Sequence, residues 1–444
     1  MSVTAAPVFE LPAPPAASAT DGVLLTGATG FVGMELLARY LQLTDRRVFV
    51  LIRARDDEHA RERLRETLRC ALGCDAPWAG RVRALAGDIT QDGLGLDPAV
   101  ALQVAGEISE IVHGAASVSF DLGLEQSRAI NVAGTRRMLA FAELCRLDGG
   151  LRRFTYVSTA YVAGLHRGRF MEDDLMVGQR FRNAYEQSKF EAELAVCAYA
   201  ERLAITIVRP SIIVGDRHSG WTASFNVLYW PLRALAKGAY PVLPARRSAP
   251  VDVVSVDYVA DAIVALAGLP EAAGGTYHLT ASASASSIGE LLALAVARFG
   301  CRRPPLISPR LYRHVLHPLL CRVLPRRRRF LRATQSYLPY FAIGVTYDDS
   351  RARAALAPAI APAPLADYFD ALVDYALLAR WGSDGLTRGA AGAVAQPRCS
   401  AAARTTRSTT QSRSSVTGMR SMSAASILPS CSADSRSQST SPDQ

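Results

Sequence analysis

Residues 23–33, VLLTGATGFVG, restrict the fold of this chain more than any other stretch. The apolar run at 23–25 reads as a short buried strand. Gly27, Gly30 and Gly33 follow, ahead of the first strong helix formers at 34–37. The order is strand, tight turn, helix. Such a turn lets the backbone approach a pyrophosphate closely and leaves helix N-terminal N–H groups open to it, with Thr29, Phe31 and Val32 completing the candidate cradle. The bare spacing also occurs in ordinary glycine-rich turns, so the rest of the chain must supply the context.

That context is a run of alternating elements. Strands are expected at 47–53 (RVFVLIR), 82–86, 107–113, 154–158 and 205–208, with helices at 31–43, from Asp57, at 124–147 and at 185–202. Strand and helix in strict alternation imply an α/β fold: a doubly wound parallel (Rossmann) sheet with ligand at the C-terminal edge of its strands. An acidic residue about twenty positions past the glycine turn would accept from a ribose 2′-OH, whereas a 2′-phosphate needs a cation there. The position holds Arg53. Asp56 and Asp57 read as the N-terminal cap of the next helix, on which Arg63 could close over the same phosphate, so the cofactor expected is NADP(H). Asp88 and Ile89 are placed to meet an adenine edge. Ala115, in the small-residue run 114–116, lets a cofactor lie against the backbone. His113 reads as a satisfied structural histidine. Asn131 on the 124–147 helix, Tyr185, Lys189 on the nicotinamide ribose, and Pro210 and Ser211 beyond the sixth strand complete the expected cofactor contacts.

The chemistry is carried by Thr159, Tyr185 and Lys189. Tyr185 and Lys189 stand four apart at the start of a helix, which puts phenol and ammonium on one face. A cation there is expected to lower the phenol pKa toward working pH, as a proton donor or acceptor for a carbinol oxygen requires. Only Lys189 and Lys237 among the 50 basic residues are lysine. With 15 tyrosines, a chance Tyr-x-x-x-Lys is expected only about 0.07 times, so the pair is a specific signal.

Composition narrows the remaining possibilities. Of the net charge of +10, residues 385–444 supply +5 through seven arginines and two aspartates, so the body is only mildly basic and nucleic acid is not an expected partner. Eight cysteines without a CxxC pair read as reduced packing residues, and no metal site is expected. No run is long enough to span a membrane, and residues 1–38 have no Lys or Arg for a signal peptide, so a cytoplasmic location is expected. Residues 1–20 read as a flexible leader and 21–215 as the cofactor domain, with a return segment at about 250–268. Residues 216–383 read as a smaller, mostly helical substrate or lid domain, and 384–444 as a disordered Ser- and Arg-rich tail. Residues 221–243 suit either a substrate lining or plain core. Residues 310–338 interleave apolar side chains with arginines: a lid with a solvated basic face is the first reading, peripheral membrane contact the second.

With these residues assembled, the chain resembles the extended short-chain dehydrogenase/reductases, and within them the thioester reductases. That group comprises the reductase domains of carboxylic acid reductases and non-ribosomal peptide synthetases, and the fatty acyl-CoA reductases. The similar blocks are TGATGFVG at 26–33, LIRARDD at 51–57, GDITQDGLGL at 87–96, VHGAASVSF at 112–120, NVAGT at 131–135, VSTAYV at 157–162, YEQSK at 185–189 and VRPSIIVG at 208–215. The resemblance covers about residues 22–280. It implies Thr159, Tyr185 and Lys189 as the catalytic set and Arg53 and Arg63 on the NADP 2′-phosphate. It further implies reduction of an acyl thioester to an aldehyde, or on to an alcohol. Residues 1–20 leave no room for an adenylation or carrier domain, so acyl-CoA or an acyl carrier protein is expected in trans. A sugar-nucleotide epimerase or dehydratase, or a hydroxysteroid-type dehydrogenase, is the alternative, because the same fold and triad serve all of them.

Overall fold

The computed structural model describes residues 21–383, except 74–77, 79, 149, 226, 324–339, 341–343 and 357. The expected leader and tail, and the end of the 310–338 segment, lie outside the described residues. Seven strands form one parallel sheet: β1 (Gly22–Thr26), β2 (Arg47–Ile52), β3 (Val82–Ala86), β4 (Ile108–His113), β5 (Arg153–Val157), β6 (Ile205–Pro210) and β7 (Thr276–Leu279). Their order is β7-β6-β5-β4-β1-β2-β3. Strand order reverses at β1, which opens a crevice at the carboxyl ends of β1 and β4.

Period-two alternation sorts the side chains onto two faces. Val23, Leu25, Val48 and Val50 pack with Leu36 and Leu37 of α1 (Phe31–Leu43). Leu24, Phe49, Ile111 and Phe154 point the other way, onto Met138, Leu139 and Ala142. Both faces are therefore covered, as parallel strands require. The helix expected at 124–147 is divided. Leu124–Arg128 leads into a widened turn over Ala129–Ala133, and a regular helix resumes at Gly134–Asp148. The return strand Val253–Ser255 pairs with Ile212–Val214, and the helix after it, Val256–Gly268, joins the α1 face.

A third apolar cluster lies around Leu228, Leu232, Ile288, Leu292, Phe369 and Leu372. Its helices include α2 (Tyr229–Ala236), α3 (Ile288–Phe299) and α4 (Leu365–Leu378). Ser287 and Glu290 form a reciprocal capping box at the start of α3. The 221–243 stretch contains both buried and cleft-lining side chains. Trp221 is fully buried against Tyr375, while Trp230 lines the central cleft. Among the described residues no helix is long and apolar enough to cross a membrane.

Candidate active site

A cleft of about 1090 Å³ opens at the sheet's carboxyl edge. Its floor is the glycine turn. Gly27 has φ +77, and a Cβ there would stand 2.8 Å from the backbone of Gly114 and Ala115. At Gly33 a Cβ would reach 2.1 Å from the Gly27 carbonyl oxygen, so only glycine lets α1 seat on the turn. The N-cap of α1, Gly30, offers no side-chain hydrogen bond, and the first turn has no acidic residue. Its open N–H groups suit a pyrophosphate.

Gly27, Thr29, Gly30, Phe31, Val32, Gly33, Arg53, Arg63, Asp88, Ile89, Ala115, Thr159, Tyr185 and Ser211 all line this one cleft. Arg53 and Arg63 come together at its mouth, where the Arg63 guanidinium donates to the Arg53 carbonyl. Asp56 caps the helix Asp57–Leu72 by accepting from His59 N at 2.8 Å. That carboxylate is committed to the helix and does not compete for a phosphate. Asp88 accepts from the backbone N and the hydroxyl of Thr90, both at 2.8 Å.

Three expected contacts lie outside the cleft wall. Pro210 ends β6 within the sheet. Asn131 is buried: its Oδ1 accepts from Ser117 N at 2.7 Å, and its Nδ2 donates to Ser117 O and to Ser188 Oγ at 2.9 Å. The amide, presented by the widened turn, ties the loop after β4 to the helix Ala184–Cys197 that bears Tyr185. It positions the site and does not face the cleft. Lys189 is also buried, and its Nζ donates to Tyr156 Oη at 2.8 Å and to Val157 O at 2.9 Å.

The placement of Lys189 corrects one expectation. The Tyr185 phenol is pushed up to about 12 by burial, opposed by a hydrogen bond with Thr159, with Glu186 adding to the rise. No lowering by Lys189 is seen, because its ammonium is turned into β5. Burial in turn lowers Lys189 to about 7, against the raising influence of Glu193. Thr159 stays fixed by accepting from Tyr161 N at 3.2 Å.

Tyr156 and its neighbours were not singled out in the sequence. Tyr156 is hydrogen-bonded to Thr135, whose Oγ1 lies 3.1 Å from His113 Nε2, and His113 Nδ1 lies 2.8 Å from Thr26 Oγ1. A buried polar chain therefore runs under the cleft from Lys189 to the glycine turn. His113 is neutral, held down to about 3 by burial and by Lys189. It is a satisfied structural histidine, as expected. Glu193, one turn beyond Lys189, binds the buried Arg209 at 2.9 and 2.5 Å and accepts from Ser158 Oγ. On the sequence these residues look like alternating strand positions. Among the described residues no group of His, Cys, Asp or Glu could hold a metal ion.

The fold and this cleft define an NAD(P)-binding protein of the Rossmann type. Residues 25–263 match the family model described as male sterility protein, and the chain belongs to that family. It is an oxidoreductase of the thioester reductase and fatty acyl-CoA reductase type. Fatty acyl-CoA reductase 1 of Xenopus laevis is 30% identical over 282 residues, covering 55% of this chain and 54% of the relative. Carboxylic acid reductase of Mycobacterium tuberculosis is 32% identical over 313 residues, 63% of this chain but 26% of the relative. The chain thus spans about half or less of the length of these relatives. Among solved structures, the terminal R domain of the myxalamid PKS-NRPS pathway superposes with a TM-score of 0.71 at 27% identity, covering 84% of this chain and 94% of that one. A UDP-glucuronic acid 4-epimerase from Bacillus cereus, at 17% identity and a TM-score of 0.58, shares the fold alone.

Proposed function

We propose that the chain is an NADPH-dependent reductase of acyl thioesters carried by coenzyme A or a carrier protein. The observation that carries this reading is the hydrogen-bonded Thr159 and Tyr185 pair in the same cleft as the glycine turn and the Arg53 and Arg63 guanidiniums. The cradle fits the cofactor: the turn tolerates no Cβ at Gly33, and two cations, with no acidic residue at the end of β2, suit a 2′-phosphate. When bound, the reduced nicotinamide supplies a hydride to the thioester carbonyl carbon.

Tyr185 and Thr159 then hydrogen-bond the oxygen on which charge develops, a stabilisation that strengthens toward the transition state. With its pKa about 12, Tyr185 is protonated at working pH and can donate. Lys189, which donates to Tyr156 Oη and Val157 O beneath the cleft, would hold β5 and the helix of Tyr185 in register behind the reacting groups. The tetrahedral adduct expels thiol and leaves an aldehyde. Onward reduction to an alcohol is tested by whether free aldehyde also oxidises NADPH. Tyr185→Phe should lower kcat on an acyl thioester by about 10²-fold or more while leaving NADPH affinity intact. Near wild-type turnover would overturn the assignment.

Residues 216–383 would provide the substrate side. In the segment read as lid or membrane contact, Leu311, Val315 and Leu319 are each at least half exposed. Their spacing along one helix face supports peripheral contact with a membrane. Loss of co-sedimentation with anionic vesicles in Leu319→Glu would test that contact; unchanged sedimentation would remove it.

A further inference from the structure

Two arms of the substrate side carry no carboxylate at all. Between Asp216 and Asp252 the chain has five Lys or Arg residues and no Asp or Glu, and between Glu290 and Asp348 it has eleven and again none. The fold brings these arms together. Leu243–Pro244 pairs in parallel with Leu306–Ile307, and Leu243 N donates to Pro305 O at 2.9 Å. At the junction lies a groove of about 870 Å³ whose walls include Arg247, Arg302, Arg303, Tyr240 and Pro304.

No carboxylate stands in the groove's walls. Arg217 and Arg298, elsewhere on the two arms, find Asp257 and Asp374. Arg247, Arg302 and Arg303 have no carboxylate partner among the described residues. The stem of Arg247 is seated on the first turn of α3, where a Cβ on Gly289 would come within 2.7 Å of its Cγ. All three side chains are exposed on one groove, where no carboxylate competes for them, and planar guanidinium forks match phosphate oxygens. A larger arginine-lined groove beside β3 differs on this point. Its walls also carry Asp56, Asp57, Asp97 and Glu107, and its Arg47 is paired with Glu107 at 2.7 Å.

The groove also has a defined relation to the reaction cleft. Helix α2 borders both: Trp230 lines the cleft and Leu235 lines the groove. Trp230 and Leu235 stand roughly 7–8 Å apart along the helix axis and about 140° apart around it, so cleft and groove open on different sides of α2, and that rise is less than the length of an extended pantetheine arm. We propose that this groove holds the adenosine 3′,5′-bisphosphate end of a coenzyme A thioester. Arg247, Arg302 and Arg303 receive its phosphates, the half-buried Tyr240 and the exposed Pro305 receive the adenine, and the pantetheine passes round α2 to Thr159 and Tyr185. The assignment rests on the thioester reading above and names coenzyme A as the donor.

The test uses the full chain saturated with NADPH, so that the dinucleotide site is filled. Titration calorimetry with adenosine 3′,5′-bisphosphate should show one site, weakened at least tenfold in the exposed double variant R302A/R303A. Absence of binding to the wild type, or equal binding to both, overturns the proposal whether or not the enzyme turns over any thioester. In steady state, the double variant should raise KM for an acyl-CoA at least tenfold more than KM for the same acyl group on pantetheine. A rise equal for both substrates, or one confined to a carrier-protein thioester, contradicts it. Failure of the wild type on every thioester, with nucleotide binding intact, would instead count against the reductase reading.

Discussion

At the residue scale the proposed mechanism depends on a buried ammonium. Lys189 is lowered to about 7 by burial, with Glu193 opposing, so its charge is lost as pH rises through that value. If the charged form, bonded to Tyr156 and Val157 O, keeps the helix of Tyr185 in its reactive position, kcat/KM of the free enzyme falls above about pH 7, an alkaline limb that a pH–rate profile would show. Tyr156→Phe removes a hydrogen-bond acceptor 2.8 Å from Nζ. It should move that limb to lower pH, which a purely structural role for Tyr156 would not do. The stability linkage has the opposite sense. An unfolded lysine stays protonated to about pH 10, so between the two values the unfolded chain binds more protons and wild-type stability rises with pH. Lys189→Met should lack this rise, as thermal melts at pH 6 and pH 9 would reveal.

At the element scale, the proposed reading has the glycine turn and the end of β2 together select the cofactor. The double substitution Arg53→Ala, Arg63→Ala should reduce the preference for NADPH over NADH at least tenfold, measured as the ratio of kcat/KM values. An unchanged ratio would remove the 2′-phosphate assignment. Six of the seven strands were legible because each is an apolar run between turn residues. β7, TYHL, is short and carries the buried His278 in its middle, so no periodicity marked it. The Tyr185 and Lys189 pair was legible from lysine scarcity, but the direction of the Lys189 side chain was not. That direction depends on Tyr156, 33 residues away in sequence and adjacent only in the folded protein. The same applies to Asn131, whose helix reads as continuous but widens at that residue, turning the amide toward Ser117 and Ser188. Local pattern specifies an element; long-range hydrogen bonds specify where its polar side chains point.

At the scale of the whole molecule, buried ionic knots join the cofactor sheet to later segments. Arg209 on β6 is held by Glu193 and donates to the Glu172 carbonyl at 3.2 Å. The Glu172 carboxylate accepts from the backbone N of His278, Arg351 and Ala352 at 2.9, 2.6 and 3.0 Å. Removing one member strands a buried charge, so Arg209→Leu should destabilise the protein by about 3–5 kcal/mol in urea unfolding. A change below 1 kcal/mol would show that the pair is not a stabilising knot. The same sheet edge brings cofactor cradle, Tyr185 and Thr159 into one cleft, which is the basis for the reductase reading. Its most direct test is to follow NADPH absorbance at roughly 340 nm with an acyl-CoA while trapping aldehyde product. The account predicts stoichiometric NADPH loss with aldehyde or alcohol formed, abolished in Tyr185→Phe. Tight NADPH binding with no oxidation by any acyl thioester, on coenzyme A or on a carrier protein, would contradict it.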